Sequence, residues 1–181
     1  MVEPAFGPYL FDTSAFSWLE RSTDPAVRHW LVTYLRRHPM HVSAITVMER
    51  IRGYALLLQR AAPGQRAHFA LKRQAYLNSL GKVWPVDATA AVVAAELSAL
   101  LPQPPSPPKR AHRMVEVRQE RLFRWRCDIL IAATALAAEI PLIHHNPQDF
   151  ETIRMAIETS PGRFPSLGPL NLVSVLRLTG M

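Results

Sequence analysis

The sequence of 181 residues has a single cysteine, Cys127, so no disulfide can form within the chain. This scarcity is consistent with a reducing cytoplasm, where we expect the protein to reside. No apolar run reaches the roughly 20 residues that a membrane-spanning helix needs, so we expect no membrane partner. The first residues lack a basic segment followed by a long apolar one, and they therefore do not resemble a signal peptide.

Several catalytic sequence motifs are also missing. The chain has no GxxxxGK[ST] phosphate-binding loop, no HExxH metalloprotease motif and no GxSxG nucleophile elbow. Charged residues make up only 19% of the chain and hydrophobic residues 49%, which indicates a globular protein. The formal net charge is +7, which favours a polyanionic partner, either a nucleic acid or an acidic protein.

Short apolar segments alternate with helical patterns, which predicts an α/β fold with a short, mainly parallel central sheet. Leu10 and Phe11 are expected to form the first, central strand. A wholly apolar helical run at residues 129–138 must be buried on nearly all sides. We expect one domain over residues 1–181, with a proline-rich and arginine-rich insertion at about 102–126 and an extended C-terminal tail from about 155.

Acidic and amide residues lie at matching places in this pattern. Asp12 ends the first strand, Glu49 lies early in the helix after the second, and Asp128 precedes the apolar helix. Asn146 and Asp149 follow the last predicted strand. Because ligands bind beyond the carboxyl ends of parallel strands, these side chains are expected to form one site. Clustered carboxylates suit a hard cation such as Mg²⁺ or Mn²⁺.

Three segments carry a resemblance to a known family, and they read LFDTSAFSWLE, VSAITVMERIRG and DILIAATALAAEIPLIHHNPQDF. The chain resembles PIN-domain ribonucleases, most closely the VapC-type toxins of bacterial toxin–antitoxin pairs. The resemblance implies a three-layer α/β/α fold. It implies that Asp12, Glu49 and Asp128 bind the metal, that Asn146 occupies the fourth acidic position and that Asp149 adds a further charge.

The same resemblance implies an activity and partners. These are Mg²⁺-dependent endonucleolytic cleavage of RNA, with Mn²⁺ as an alternative ion, a homodimer, and inhibition by a small cognate antitoxin protein. Three departures from the family pattern stand out. His144 replaces a common Thr or Ser, the stretch between Glu49 and Asp128 is longer than usual, and so is the tail beyond Phe150.

The arginine-rich segment fits two functions. Arg113, Arg118, Arg121 and Arg124 lie close in sequence to Asp128 and could bind the RNA backbone, where cations displace counterions. A contact with a protein partner is an equally open interpretation. The aromatic residues of this segment, Phe123 and Trp125, are expected in the core.

Structural interpretations stand beside the catalytic ones. Asp12, Asp128 and Asp149 are each placed where an acid can cap a helix. His144 and His145 point to opposite faces of a strand and so cannot easily share one metal ion, and Cys127 is expected to be a packing residue.

Two other functions remain as alternatives. A catalytically weak or silent PIN-like module that binds RNA or protein is motivated by His144 and Asn146. A phosphatase with Asp12 as nucleophile would need a second aspartate where the chain has Ser14.

Overall fold

Strands and helices alternate along most of the chain in this computed structural model, which describes residues 6–105, 110, 111, 114, 115, 117–160, 162–164 and 167–178. The strands are β1 (Leu10–Phe11), β2 (His41–Ser43), β3 (Lys82–Trp84), β4 (Arg110–Ala111), β5 (Met114–Val115), β6 (Leu142–His144) and β7 (Leu172–Ser174). The helices are α1 (Thr13–Arg21), α2 (Pro25–Leu35), α3 (Ala44–Arg60), α4 (Pro63–Ser79), α5 (Ala88–Leu100), α6 (Arg118–Ala137) and α7 (Pro147–Glu158), and a short 3₁₀ helix covers Val175–Arg177.

A five-stranded parallel sheet in the order β3-β2-β1-β6-β7 organises these elements. In the register, Phe11 lies opposite Val42 on one side and Ile143 on the other. The prediction of a central first strand in a mainly parallel sheet is therefore confirmed. Strands β4 and β5 form a separate antiparallel pair within the expected insertion.

The sheet separates two cores, because successive residues of a strand face opposite sides. Leu10 and Leu142 belong to the core beneath α5, α6 and α7, whereas Phe11 and Ile143 belong to the core beneath α1 and α2. The architecture thus has three layers, as expected. Ile129 and Ile131 of α6 are 1% and 0% exposed, and burial of each stabilises the fold by about 1.5–3 kcal/mol.

Helix α6 begins ten residues before Asp128, so the expectation that Asp128 caps it is wrong. The N-cap is Val117, which makes no side-chain cap bond. The arginine-rich segment from Arg118 onward is part of the same helix, and Trp125 anchors it by donating from Nε1 to the Leu101 carbonyl at 2.9 Å. Trp125 is 2% exposed, so its expected place in the core is confirmed.

The C-terminal part adds to the sheet. Helix α7 extends to Glu158, past the residue at which we expected a tail to begin. Residues 172–174 then pair with β6, with Leu142 opposite Leu172. Within the described residues, no helix combines the length and the apolar character that crossing a membrane requires.

Candidate active site

Asp12 follows β1 directly and is 2% exposed. Its Oδ1 accepts a hydrogen bond from the Ala15 N–H at 2.6 Å, and its Oδ2 accepts one from the Ser14 hydroxyl at 2.6 Å. Asp12 therefore is the N-cap of α1, as the structural interpretation proposed. Burial nevertheless raises the pKa of Asp12 to about 6, because these hydrogen bonds compensate only part of the lost hydration.

Glu49 lies in the second turn of α3 and faces the start of α1. The Thr13 hydroxyl donates to its Oε2 at 2.5 Å. Burial raises the pKa of Glu49, while hydrogen bonds from Thr13 and Cys127 and the charge of Arg124 oppose the rise. The neighbouring Met48 is 42% exposed, so the apolar neighbour points to solvent while the carboxylate points to the protein.

Asp128 lies inside α6, where a carboxylate has no helix end to cap. Burial raises its pKa well above the ordinary range, and the negative charges of Asp12, Glu49 and Asp149 raise it further. Arg124, one turn earlier on the same helix, opposes this rise. The structure therefore brings the predicted acids close enough to repel one another.

Asn146 and Asp149 complete the cluster from the loop and helix after β6. The Asn146 side-chain amide donates to Asp149 Oδ2 at 2.5 Å and lies 3.5 Å from Asp128 Oδ2. Asn146 occupies the N-cap position of α7, and Asp149 lies in the first turn and is 5% exposed. Asp149 is therefore not the N-cap of α7, and a single amide joins the last two predicted positions to Asp128.

The chemistry of this donor set fits a hard divalent cation. All the converging groups offer oxygen ligands, which Mg²⁺ and Mn²⁺ prefer. The mutual repulsion that raises the Asp128 pKa is the penalty that a bound cation would relieve. In the part of the chain that the structure describes, however, no three His, Cys, Asp or Glu side chains are already gathered into a metal-binding group.

Comparison with known proteins identifies the fold family. A family model described as the PIN domain matches residues 9–154, which is most of the chain. The chain belongs to the PIN domain family. The resemblance seen in the sequence is thereby confirmed at the level of the family, and the matched region contains all five predicted site residues.

Several solved structures have a similar fold over nearly the whole length of this chain. VapBC2 from Rickettsia felis, bound to a DNA fragment from its promoter, has a chain with 16% identity and a TM-score of 0.56, covering 92% of this chain and 97% of that one. DNA-bound VapBC from Salmonella typhimurium has a chain with 16% identity and a TM-score of 0.55, covering 97% of this chain and 99% of that one. FitAcB from Neisseria gonorrhoeae has a chain with 19% identity and a TM-score of 0.58, covering 94% of this chain and 99% of that one. No curated protein matches the chain.

The four predicted RNA-binding arginines differ in their surroundings. Arg118 is exposed in the first turn of α6. Arg121 is half-buried and donates to the Pro104 carbonyl at 2.9 Å, so it ties the helix to the proline-rich segment. Arg124 is the one whose charge acts on Asp128 and Glu49. Arg113 lies outside the described residues.

Two residues contribute to the PIN domain site in ways that the sequence pattern did not indicate. Thr13 lies in the first turn of α1, and its hydroxyl holds Glu49. Glu120 lies in the first turn of α6 and accepts two hydrogen bonds from Arg52 of α3, at 2.8 and 2.7 Å. Only the tertiary packing of α3 on α6 creates this contact, so spacing along the sequence could not show it.

A groove of about 750 Å³ between α1, α3 and α4 opens beside the carboxylates, with Thr13 and Glu49 in its lining. Arg50 forms part of its floor and pairs with Glu20, and it donates to Ser17 Oγ at 2.8 Å. Its guanidinium lies 4.9 Å from the Phe16 ring centre and 4.8 Å from that of Tyr76. Arg50 thereby fixes α3, which carries Glu49, against α1, whose N-cap is Asp12.

Proposed function

We propose that this chain is a metal-dependent endoribonuclease and the toxin of a toxin–antitoxin pair. The observation that carries the proposal is the convergence of Asp12, Glu49 and Asp128, whose charges repel in a partly buried site. A fold gains no stability from such an arrangement. Its occurrence at the carboxyl ends of β1 and β6, in a PIN domain, supports a role in binding a cation.

Asp12, Glu49 and Asp128 would hold Mg²⁺, or Mn²⁺ in its place. The ion would activate water and neutralise charge that develops on a phosphodiester. The protein's own contribution is to orient the carboxylates. Thr13 fixes Glu49, and the Ala15 N–H and the Ser14 hydroxyl fix Asp12.

Asn146 and Asp149 form the rest of the proposed catalytic set. The Asn146 amide can hold Asp128 and Asp149 in place, because it contacts both carboxylates. An amide at this position also adds no further negative charge beside Asp128, whose pKa is already raised by three acids. No protein nucleophile is required in this scheme.

RNA as the substrate is supported by the net charge of +7 and by the family resemblance. Arg118 and Arg124 stand on the helix that carries Asp128, so a phosphate backbone bound along α6 would lead to the carboxylates. Arg121 is engaged with Pro104 and is therefore the weaker candidate for a phosphate contact.

A cognate antitoxin and a homodimer are the proposed protein partners. Similar chains occur in the VapBC and FitAcB complexes, and this similarity in fold supports the antitoxin. The homodimer follows from the resemblance to VapC-type toxins. The single buried cysteine is compatible with the cytoplasmic location that such a toxin requires.

The test is cleavage of total RNA by the purified chain in Mg²⁺, in Mn²⁺ and in EDTA. We expect discrete fragments that depend on the metal and are lost in Asp128→Asn. Asp24→Asn is the matched control, because Asp24 caps another helix by accepting from the Ala26 N–H at 2.8 Å. Cleavage that survives in both EDTA and Asp128→Asn would refute the proposed chemistry.

A catalytically silent RNA-binding module is the second candidate. It is favoured by the finding that the described residues contain no ready-made group of three metal-binding side chains. This alternative predicts RNA binding of equal strength with and without Mg²⁺, and no cleavage under any of the conditions above.

A further inference from the structure

The two adjacent histidines after Ile143 have different surroundings. His144 is 2% exposed, and its ring lies 5.2 Å from that of Phe150. Burial lowers the pKa of His144 to about 4, so this ring is a neutral part of the core. His145 is exposed. His145 lies just beyond the end of β6, and the proposed catalytic scheme makes no use of it.

The exposed imidazole of His145 is stacked on an indole. Its ring centre lies 5.7 Å from that of Trp18, and the two planes are inclined by 26°. Trp18 is partly buried and packs against the core beneath α1 and α2. The core therefore supports Trp18 from within, and His145 extends the stack toward solvent.

This ring pair lies at the rim of the carboxylate cluster. The Asp12 N–H donates to the Ile143 carbonyl at 3.0 Å, so the start of α1 lies beside the end of β6. His145 directly precedes Asn146, whose amide is 3.5 Å from Asp128. A group that stacks on His145 would therefore lie next to the site at which we propose that the phosphodiester is cleaved.

Nucleobases suit such a surface better than most ligands. Every base offers a flat face, and the strength of stacking on an aromatic side chain depends only weakly on which base it is. In a duplex these faces are already covered by neighbouring bases, so only an unpaired base is available. Arg177 lies three residues after Ser174, which is opposite His144 in the sheet, so it places a positive charge near the same strand end.

We propose that Trp18 and His145 form a stacking platform for an unpaired nucleobase beside the cleaved bond. The proposal rests on the nuclease function proposed above. It assigns His145 to substrate binding and not to metal binding or proton transfer.

Binding of a fluorescein-labelled single-stranded oligoribonucleotide, measured by fluorescence anisotropy in EDTA, tests the platform without cleavage. We expect His145→Ala to weaken binding about tenfold, and His145→Phe to bind within about threefold of the wild-type protein, because it keeps an aromatic ring. His29→Ala is the matched control, since His29 is an exposed histidine on α2, and it should bind like the wild type. Circular dichroism confirms that each variant is folded.

A second measurement locates the base. Oligoribonucleotides with one abasic site at successive positions should bind less tightly when the stacked base is missing, and at that position His145→Ala should cause no further loss. A fully paired duplex should be insensitive to His145→Ala.

The outcomes separate the two proposals. If the wild type binds no nucleic acid, both the nuclease function and the platform are refuted. If the wild type binds and cleaves RNA but His145→Ala binds equally well, only the platform is refuted. Loss of binding in His145→Phe equal to that in His145→Ala would also refute it, because stacking would not be the interaction. If His145→Ala impairs only a protein partner, the surface is a protein contact and the platform is again refuted.

Discussion

Replacement of Asp12 by asparagine should stabilise the metal-free protein while it removes the nuclease activity. The side chain is 2% exposed, and burial raises its pKa from 3.8 to about 6. The folded protein thus holds this proton more tightly than the unfolded chain does. The contribution of Asp12 to stability is therefore most favourable at low pH and falls as the pH rises from about 3.8 to about 6.

The size of the effect follows from the pKa difference. At about 1.4 kcal/mol per pH unit, the ionised Asp12 lowers the free energy of unfolding by roughly 3 kcal/mol at pH 7. Asparagine is as good an N-cap as aspartate, but Ser14 and the Ala15 N–H donate to different carboxylate oxygens, and an amide has only one oxygen. We therefore expect Asp12→Asn to gain about 1–3 kcal/mol at pH 7 and close to nothing below pH 4.

The assay is urea unfolding in EDTA between pH 4 and pH 8. His144 acts in the opposite direction, because burial lowers its pKa to about 4, so its contribution to stability rises with pH up to about 6.5. The difference between Asp12→Asn and the wild type cancels the His144 contribution. Asp24→Asn is the control for capping alone, and it should show no comparable gain at pH 7.

Added Mg²⁺ gives the complementary result. The ion should raise the unfolding free energy of the wild type at pH 7 and have little effect on Asp12→Asn, because one of the proposed ligands is lost. A variant that is less stable than the wild type at pH 7 in EDTA would refute the reasoning, since Asp12 would then be serving the fold. A gain of the same size at pH 4 would also contradict it.

Three further predictions concern the neighbours of the cluster. Thr13→Val removes the hydroxyl that holds Glu49 and should reduce cleavage about 10- to 100-fold, with a higher Mg²⁺ requirement, as a Mg²⁺ titration of the cleavage rate would show. Arg50→Met should lower the free energy of unfolding by about 1–3 kcal/mol in urea, because three aromatic contacts and the ion pair to α1 are lost; an unchanged value would show that the network adds nothing. His144→Leu should lack the fall in stability that its buried imidazole causes between pH 6.5 and pH 4, so its unfolding free energy should exceed that of the wild type most at the acid end.

Local sequence patterns predicted the parts of the fold that depend on nearby residues. Leu10 and Phe11 are a short apolar segment followed by an acid. They form the central strand, and Asp12 is the N-cap of the helix that follows. Because the five strands of the main sheet run parallel, their carboxyl ends meet at one edge, and this topology places Asp12 and Asn146 close together. Strand β7 was less predictable, since its three residues are only partly buried and carry no alternation.

The start of α6 could not be predicted because tertiary contacts determine it. An acid before an apolar run is a typical helix start, and on that basis Asp128 was placed at the N-terminus. We expect the residues before it to be helical as well, although they carry no clean apolar stripe. The structure joins them to the same helix, where Trp125 is fixed to the Leu101 carbonyl and Glu120 to Arg52. Both partners are distant in sequence, so neither contact is visible in a local window.

The position of Asp128 within α6 bears on function. An aspartate at the N-terminal end of a helix stabilises that helix, so its presence there needs no further explanation. Asp128 is in the middle of a helix, is partly buried and is repelled by Asp12, Glu49 and Asp149. It therefore does not stabilise the helix, and its presence needs another explanation. Local rules of stability therefore fail at the residue where the proposed chemistry needs a charge, as is expected where function opposes folding. The pH dependence of Asp12→Asn measures the same kind of opposition at the neighbouring buried carboxylate, Asp12.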